Sequence, residues 1–273
     1  MIRQAQSPAP VAVVHGFPDG PESWSACTDI LRASGRVVRL PELPGYGFNA
    51  AGHRRAGTPM ALAEEIAEQL WPTGDGPSTD PSFGIHVVGH DWGGIAAWML
   101  TRVGHLAAES ILSLTVLSAP HPCALHAHFS AKHARYARAL ARPWLPERWL
   151  RRTNYEPFLA PLRAAGMTET ALTLVRLRCT DPARLHRMLA PYREPRSRRP
   201  KQDAPSVGPN VPMLLLRGEH DPYVSAHHML PQDSNGNHRC VETLPGVGHW
   251  PQLQAPGALA QRLLSFWSEV ELG

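Results

Sequence analysis

The sequence predicts an α/β protein: a mostly parallel β-sheet with helices on both faces and a helical insert. Short, nearly continuous apolar runs alternate with helical stretches in both outer parts of the chain, which is typical of parallel strands buried on both faces. Between about residues 122 and 204 the strand signals stop, and the pattern indicates only helices, rich in Ala, Arg and Leu. With 273 residues, 43% of them apolar, the chain is long enough for such a core and its insert, and the composition excludes a disordered or fibrous protein.

The predicted elements follow one another in a regular order. Apolar runs predict strands at 11–15, 36–40, 84–89, 112–119, 211–217 and 239–244, and helical stretches lie at about 21–34, 58–71, 93–104 and 255–269. Thr58 is a suitable N-cap for the second helix, because Pro59 follows in the first helical position. These boundaries predict a discontinuous core made of residues 1–121 and 205–273, with a helical insert at residues 122–204.

The basic charge is concentrated in the helical insert. From Lys132 to Lys201 the chain has 17 basic and 5 acidic residues, whereas the remainder has 10 basic and 18 acidic ones. This segment is either a solvated, Arg-rich helical surface or a surface that attracts an anionic partner. Nucleic-acid binding is not favoured, because no recognisable nucleic-acid module accompanies the charge.

Several kinds of protein and site are not favoured by the sequence. No apolar run approaches the roughly 20 residues that span a bilayer, and the first ten residues lack the apolar stretch of a signal peptide, so we expect a cytoplasmic protein. The four cysteines are widely scattered, which indicates reduced thiols. The pairs His126/His128 and His227/His228 lack carboxylate or thiol partners at ligand spacing, so we expect no metal site. The sequence contains no Gly-rich phosphate loop, so we expect no nucleotide cofactor.

The segment IHVVGHDWGGIAAW predicts a strand that turns directly into a helix. Its centre, from Gly89 to Gly93, has the form of a nucleophile elbow, in which small residues two positions before and after the nucleophile permit a strained turn. The side chain exposed at this turn would be the carboxylate of Asp91. The alternative is that Asp91 only caps the following helix.

A carboxylate at this position determines the class of reaction. Serine attack on a saturated carbon would give an inert ether. Attack by Asp91 instead gives an alkyl ester, which water can cleave at the carbonyl of the enzyme's own aspartate. The elbow therefore predicts hydrolytic displacement at an sp³ carbon.

Two further strand ends supply an acid and a histidine. Asp221, in GEHDPYVS, and His249, in LPGVGHWPQLQ, follow Asp91 in the chain order nucleophile, acid, histidine. Asp221 would hold the imidazole of His249, and His249 would remove a proton from the attacking water.

The end of the first strand, in VAVVHGFPDG, predicts an oxyanion hole. The backbone N–H of Phe17 would join that of Trp92 and stabilise the tetrahedral intermediate formed at the Asp91 ester. A cis peptide bond at Pro18 would fix this turn. The alternative is an ordinary tight turn.

The four motifs HGFP, GHDWGG, GEHDP and GVGHWPQ together resemble the epoxide hydrolases of the α/β-hydrolase superfamily, and the resemblance covers nearly the whole chain. It implies an α/β-hydrolase fold and an enzyme without cofactor or metal that converts an epoxide and water to a vicinal diol. It also implies that His15, Pro18, Trp92 and Trp250 contact the substrate.

Epoxide hydrolases of this kind use two cap tyrosines to protonate the epoxide oxygen, so the helical insert is expected to supply them. In the family's cap segment, one tyrosine precedes a proline by seven residues, as Tyr136 precedes Pro143 here. A Tyr-Arg pair stands just before the return to the core, as Tyr192 and Arg193 do here. The resemblance therefore implies Tyr136 and Tyr192 as donors and leaves Tyr155 as a packing residue. The alternative for each donor is an amphipathic residue with its hydroxyl in water.

Two other functions stay open. Haloalkane and fluoroacetate dehalogenases share the Asp elbow, but a halide leaves as an anion that needs N–H donors. Phe17 and Trp92 stand where those two families have Asn and Arg, respectively. A non-catalytic binding protein that uses the basic insert is disfavoured, because every catalytic position is intact.

The chain departs from the family's pattern at its start. Family members have two antiparallel edge strands before the first parallel strand, whereas here that strand already begins at Val11. Either the chain begins late, or the sheet lacks these two strands and the strand near 36–41 becomes an exposed edge. Glu42 and Gln254 also differ from the usual residues, although neither replaces a catalytic group. The basic insert is expected to face the substrate entrance and to favour anionic epoxides.

Overall fold

The computed structural model describes residues 8–46, 57–72, 84–103, 110–125, 128, 135–142, 145–193, 211–230 and 240–272, without the side chains at 135, 136, 145 and 146. Every predicted strand is present in these ranges, and the second is the shortest. The strands are β1 (Val11–Val14), β2 (Val38–Arg39), β3 (Ile85–His90), β4 (Ile111–Leu117), β5 (Met213–Gly218) and β6 (Val241–Leu244).

All neighbouring strands of the described sheet are parallel, and their order is β2-β1-β3-β4-β5-β6. The chain moves outward from β1 to β2 and then returns past β1 to β3. The carboxyl ends of β1 and β3 therefore lie side by side, with Val14 opposite Gly89. Ligand sites of parallel α/β sheets form where the strand order reverses in this way.

The helices of the outer parts begin and end within a few residues of their predicted positions. Thr58 caps α2 as predicted, because its Oγ1 accepts a hydrogen bond from the Ala61 N–H at 3.1 Å. A 3₁₀ turn, Pro21–Trp24, precedes α1. The described helices are α1 (Ser25–Ala33), α2 (Pro59–Leu70), α3 (Trp92–Leu100), α4 (Arg135–Leu140), α5 (Leu145–Arg152), α6 (Glu156–Ala164), α7 (Glu169–Thr180), α8 (Pro182–Met188), α9 (Ala190–Arg193), α10 (Ala226–Met229), α11 (Pro251–Gln254) and α12 (Pro256–Leu272).

Two apolar layers enclose the sheet. Successive residues of β1 point to opposite layers, so that Ala12 and Val14 pack with α2 and α3, whereas Val11 and Val13 pack with α1 and α12. Burial on both faces explains why the strands are nearly continuous apolar runs. The described residues between β4 and β5 contain α4 to α9 and no strand.

The short strand β2 is the outermost strand on its side of the described sheet. Val37, directly before it, is 62% exposed. None of the helices in the described ranges is long and apolar enough to cross a bilayer.

An ion-pair cluster holds the C-terminal helix α12 against the amino ends of β1 and β3. Glu271 accepts two hydrogen bonds from the Arg36 guanidinium, at 2.5 and 2.8 Å, and one from the Ala9 N–H at 3.2 Å. His86 Nε2 lies 3.2 Å from the same carboxylate, and its Nδ1 lies 2.7 Å from Ser113 Oγ. Although burial acts against ionisation, these donors lower the pKa of Glu271 to about 2.

We predict that Glu271→Gln lowers the free energy of unfolding at pH 7 by about 1 kcal/mol, because it weakens hydrogen bonds to a charged partner at a partly exposed site where solvent screens the charge. A carboxyl whose pKa falls from 4.5 in the unfolded chain to about 2 stabilises the fold above pH 4.5, and this contribution is lost as the pH falls toward 2. Urea unfolding should therefore show a smaller difference between variant and wild type at pH 3.5 than at pH 7.

Glu269→Gln, at an exposed position of the same helix, is the matched control. A loss of equal size in this control, or a difference that does not change with pH, would contradict the assignment of the cluster.

Candidate active site

The predicted strand, turn and helix around Asp91 are present, and Asp91 lies between the end of β3 and the start of α3. Its backbone has φ 51° and ψ −120°, a conformation that residues other than glycine rarely adopt. The turn fits against β1 only because Gly93 has no side chain, since a Cβ there would lie against the carbonyl oxygens of Val14 and His15. The carboxylate does not make the side-chain capping hydrogen bond of an N-cap aspartate to the second or third residue of α3, which argues against the alternative of a simple helix cap.

The structure brings Asp91, His249 and Asp221 together at the carboxyl edge of the sheet. His249 Nδ1 lies 3.0 Å from both carboxylate oxygens of Asp221. Asp221 also accepts hydrogen bonds from the backbone N–H groups of Tyr223 and Val224, at 2.8 and 3.1 Å. On the other side of the ring, His249 Nε2 faces Asp91 Oδ2 at 3.8 Å, beyond hydrogen-bond distance. The imidazole is thus fixed by one carboxylate and directed at the other.

The two carboxylates differ in basicity because their surroundings differ. Burial raises the pKa of Asp91 to about 6, although His249 and two backbone N–H groups act against the rise. Burial also opposes the ionisation of Asp221, but the charge and hydrogen bond of His249 outweigh it and lower the pKa of Asp221 to about 2. The pKa of His249 is raised by Asp221 despite the burial of the ring. Asp221 is therefore a permanent anion that orients the imidazole, and Asp91 is the more basic carboxylate.

Two backbone N–H groups donate to the Asp91 carboxylate. The Phe17 N–H donates to Asp91 Oδ1 at 2.9 Å, and the Trp92 N–H also hydrogen-bonds the carboxylate. The peptide bond between Phe17 and Pro18 is cis, as predicted, and both residues are buried. The two N–H groups expected to form an oxyanion hole are thus assembled at Asp91.

Tyr192, in α9, brings the helical insert into contact with the oxyanion turn. Its buried ring packs edge-on against Phe17 and against Trp92, with ring centroids 4.9 and 5.4 Å apart. Phe158, in α6, also contacts Phe17, at 5.8 Å between centroids. The insert therefore covers the residues on both sides of Asp91.

The other two tyrosines of the insert have different positions. Tyr155 is a packing residue, as expected, because its buried hydroxyl donates to the carbonyl oxygen of Cys179 at 3.1 Å. Tyr136 lies in α4, but its side chain and Pro143 are outside the described part of the chain. The role expected for Tyr136 stays a prediction.

Two residues that are expected to contact the substrate also support the site from within the core. His15 is fully buried, its Nε2 accepts a hydrogen bond from the Leu43 N–H at 3.1 Å, and its Nδ1 lies 2.9 Å from the Gly16 carbonyl oxygen. Trp250 is 1% exposed and packs edge-on against His249, with centroids 4.7 Å apart. His15 thus holds the oxyanion turn and Trp250 holds the histidine, and the expectation that both contact the substrate stays a prediction.

A buried chain of hydrogen bonds behind His249 was not predicted from the sequence. His90 Nε2 lies 2.8 Å from the His249 carbonyl oxygen. The side-chain amide of Gln252 lies 3.3 Å from both His90 Nδ1 and Asp19 Oδ2, and Ser23 Oγ donates to the same Asp19 oxygen at 2.6 Å. Burial lowers the pKa of His90 to about 4, so the neutral ring donates from Nε2 and accepts at Nδ1.

The loop that carries His249 is also attached to the helical insert. The His249 N–H donates to the Ala165 carbonyl oxygen at 3.1 Å. The Tyr223 hydroxyl donates to the Pro161 carbonyl oxygen at 3.2 Å, and the Tyr223 ring packs edge-on against His249. Gln254, where the sequence departs from the resemblance, accepts the Gly248 N–H at 2.9 Å and so stabilises the same loop. Within the described ranges, no cluster of three or more His, Cys, Asp or Glu side chains could hold a metal ion.

Comparisons with known proteins agree with this architecture. The model of the alpha/beta hydrolase family matches residues 11–262. Epoxide hydrolase 3 of Xenopus tropicalis is 28% identical over 271 residues, which cover 94% of this chain and 71% of that protein. Epoxide hydrolase 4 of Homo sapiens is 24% identical over 273 residues, which cover 94% and 72%. The solved structure of a variant epoxide hydrolase from Bacillus megaterium has a TM-score of 0.68 at 19% identity and covers 96% of this chain and 95% of its own.

We predict that Gln252→Leu lowers the free energy of unfolding by about 1 to 3 kcal/mol, because it removes a donor from the buried carboxylate of Asp19 and from His90 at little change in volume. Urea unfolding measures this loss. Gln261→Leu, at an exposed position of α12, is the control and should leave the midpoint unchanged. Equal midpoints for Gln252→Leu and wild type would mean that the chain of hydrogen bonds contributes nothing to stability.

Proposed function

Because the chain belongs to the alpha/beta hydrolase family, we propose that it is an epoxide hydrolase that forms a covalent ester on Asp91 and releases a vicinal diol. The names of its relatives support the substrate class. The observation that carries the mechanism is the unequal environment of the two carboxylate oxygens of Asp91.

The two oxygens of Asp91 suit two different tasks. Oδ1 accepts the Phe17 N–H at 2.9 Å, whereas Oδ2 faces His249 Nε2 at 3.8 Å without a hydrogen bond between them. In the proposed first step, Oδ2 attacks a carbon of the epoxide, the ring C–O bond breaks, and Oδ1 becomes the carbonyl oxygen of the new ester. Oδ1 already lies in the oxyanion hole, so the ester forms without rearrangement of the site.

The second step uses His249 as a general base. Nε2 removes a proton from water, which attacks the ester carbonyl carbon of Asp91, and negative charge develops on Oδ1. The N–H groups of Phe17 and Trp92 stabilise that charge, and removing one such donor typically costs about 10² to 10³ in rate. The alkoxide then leaves with the proton from His249, and Asp221 stabilises the imidazolium in between.

Ring opening also requires a proton for the epoxide oxygen. A tyrosine hydroxyl, with an ordinary pKa of about 10, is acidic enough to give its proton to a developing alkoxide. The tyrosinate left behind regains a proton from the carboxyl group of Asp91, which hydrolysis of the ester leaves protonated, and this closes the cycle. Tyr192 is the proposed donor because its ring packs against both residues that supply the oxyanion N–H groups. Tyr136 is the proposed second donor, on the resemblance alone. In this proposal the helical insert acts as the cap, and Pro18 and Trp92 line the substrate site.

The nature of the leaving group favours an epoxide over a haloalkane as substrate. An alkoxide leaving group needs an acid, whereas a halide leaves as a stable anion and needs only N–H donors. The Phe17 and Trp92 N–H groups already donate to Asp91, and a tyrosine packs over them. This arrangement supports proton donation rather than halide binding.

Product analysis tests the proposal. We expect a panel of epoxides to give diols and a panel of haloalkanes to give no halide. In a single turnover in ¹⁸O-water, the label should enter Asp91 rather than the diol, because water attacks the ester carbonyl. His249→Gln should accumulate the ester, seen as an increase in protein mass equal to the mass of the epoxide. Formation of halide without diol would contradict the proposed substrate class. Label in the diol with none in Asp91 would contradict the covalent ester.

We predict that Tyr192→Phe slows ester formation at least 100-fold, because it removes a proton donor to the epoxide oxygen. Tyr155→Phe is the matched control: it also removes a buried hydroxyl from the insert, but its hydrogen bond is to the Cys179 carbonyl. It should lower stability by about 1 kcal/mol and leave the rate of ester formation unchanged. Rapid-quench kinetics of both variants measures this, and equal rates in Tyr192→Phe and wild type would remove Tyr192 from the mechanism.

A further inference from the structure

An open cavity of about 720 Å³ lies on the helical insert between α5 and α8. Among the described residues that line it are four arginines: Arg148, Arg151, Arg152 and Arg187. These described walls contain neither Asp91, Asp221, His249 nor Tyr192, so the concavity is separate from those residues. Its volume is within the range of small-molecule binding sites, about 300 to 1,000 Å³.

The charge of this cavity is largely uncompensated. The acidic residue among its described walls, Glu147, is already paired with Arg193, whose Nη2 lies 2.8 Å from Glu147 Oε1. Within the described chain, none of the four lining arginines lies within 4.0 Å of a carboxylate oxygen. Elsewhere on the insert, by contrast, Arg163 and Arg176 pair with Glu156 at 2.9 and 3.3 Å. The four charges at the cavity are therefore available to a ligand.

One of the four arginines is held in place by the core. Arg187 is half-buried, and its Cβ lies so close to Gly45 that a side chain on Gly45 would collide with it. The Nε of Arg187 is shielded from solvent and has no hydrogen-bond partner among the residues that the structure describes. Such a donor is satisfied when an acceptor binds. The Nε atoms of Arg176 and Arg193 on the insert are in the same state, so the cavity is distinguished by its gathered charge rather than by this N–H.

We infer that this cavity binds a small organic polyanion, with two or more carboxylate, phosphate or sulfonate groups on a compact apolar body. Guanidinium groups recognise such anions through paired hydrogen bonds. Pro182 and Ala183 line the cavity beside the arginines and provide an apolar surface for the body of the ligand. The charges are gathered around a concave site rather than along an extended face, which favours a small molecule over a nucleic acid.

Calorimetric titration with pyrene-1,3,6,8-tetrasulfonate tests this inference on the full chain. We expect one saturable site whose affinity falls as salt is raised, and displacement of the probe by inorganic pyrophosphate. The double variant Arg148→Gln/Arg151→Gln should bind the probe at least 10-fold more weakly, while its epoxide turnover stays unchanged. Arg187→Lys should also weaken binding, because it keeps the charge but loses the shielded Nε donor.

The matched control is Arg163→Gln/Arg176→Gln, which removes the same number of charges from the same insert. We expect less than a 2-fold change in its affinity. The inference is overturned by an absence of saturable binding, by an equal loss in both double variants, or by probe binding that Arg148→Gln/Arg151→Gln does not weaken. Binding of duplex DNA without one-to-one binding of the probe would also overturn it.

Discussion

The close approach of β1 to the turn after β3 is the constraint on which the candidate active site depends. Gly93 lies so near the carbonyl oxygens of Val14 and His15 that no side chain fits there, and Asp91 takes a positive φ so that the chain can turn at this point. The same approach brings the Phe17 N–H to the Asp91 carboxylate. The strain at one residue is thus held by packing between two backbone segments, and it aims a carboxylate at the edge of the sheet.

The division of roles between the carboxylates follows from what surrounds each of them. Asp91 and Asp221 are both in buried surroundings and both accept backbone N–H groups, yet the pKa of Asp91 is raised and that of Asp221 is lowered. The difference lies in His249, which hydrogen-bonds Asp221 directly but stays 3.8 Å from Asp91. The bonds from the His249 loop to Ala165 and His90 hold the ring in this position.

The sequence predicts those site residues that come directly after a predicted strand. Asp91 and His249 follow apolar runs, and parallel strands bring their carboxyl ends to one edge, so their proximity follows from the pattern. The bond between Gln252 and Asp19 joins residues from opposite ends of the chain, and no local pattern indicates it. The packing of Trp250 against His249 could not be predicted either, because a motif identifies a neighbour of the histidine but not the side of the loop on which its ring packs.

The cluster at Glu271 also holds the first and last described residues of the domain close together. Ala9 and Glu271 are in direct hydrogen-bond contact, at the amino ends of the strands and on the opposite edge of the sheet from Asp91. A fusion partner or second domain attached next to either of these residues would therefore lie at the edge of the sheet opposite the one that carries Asp91. The same proximity suits the domain to circular permutation, because a short linker could join the two ends, provided that the new termini are placed outside the elements that carry Asp91 and His249.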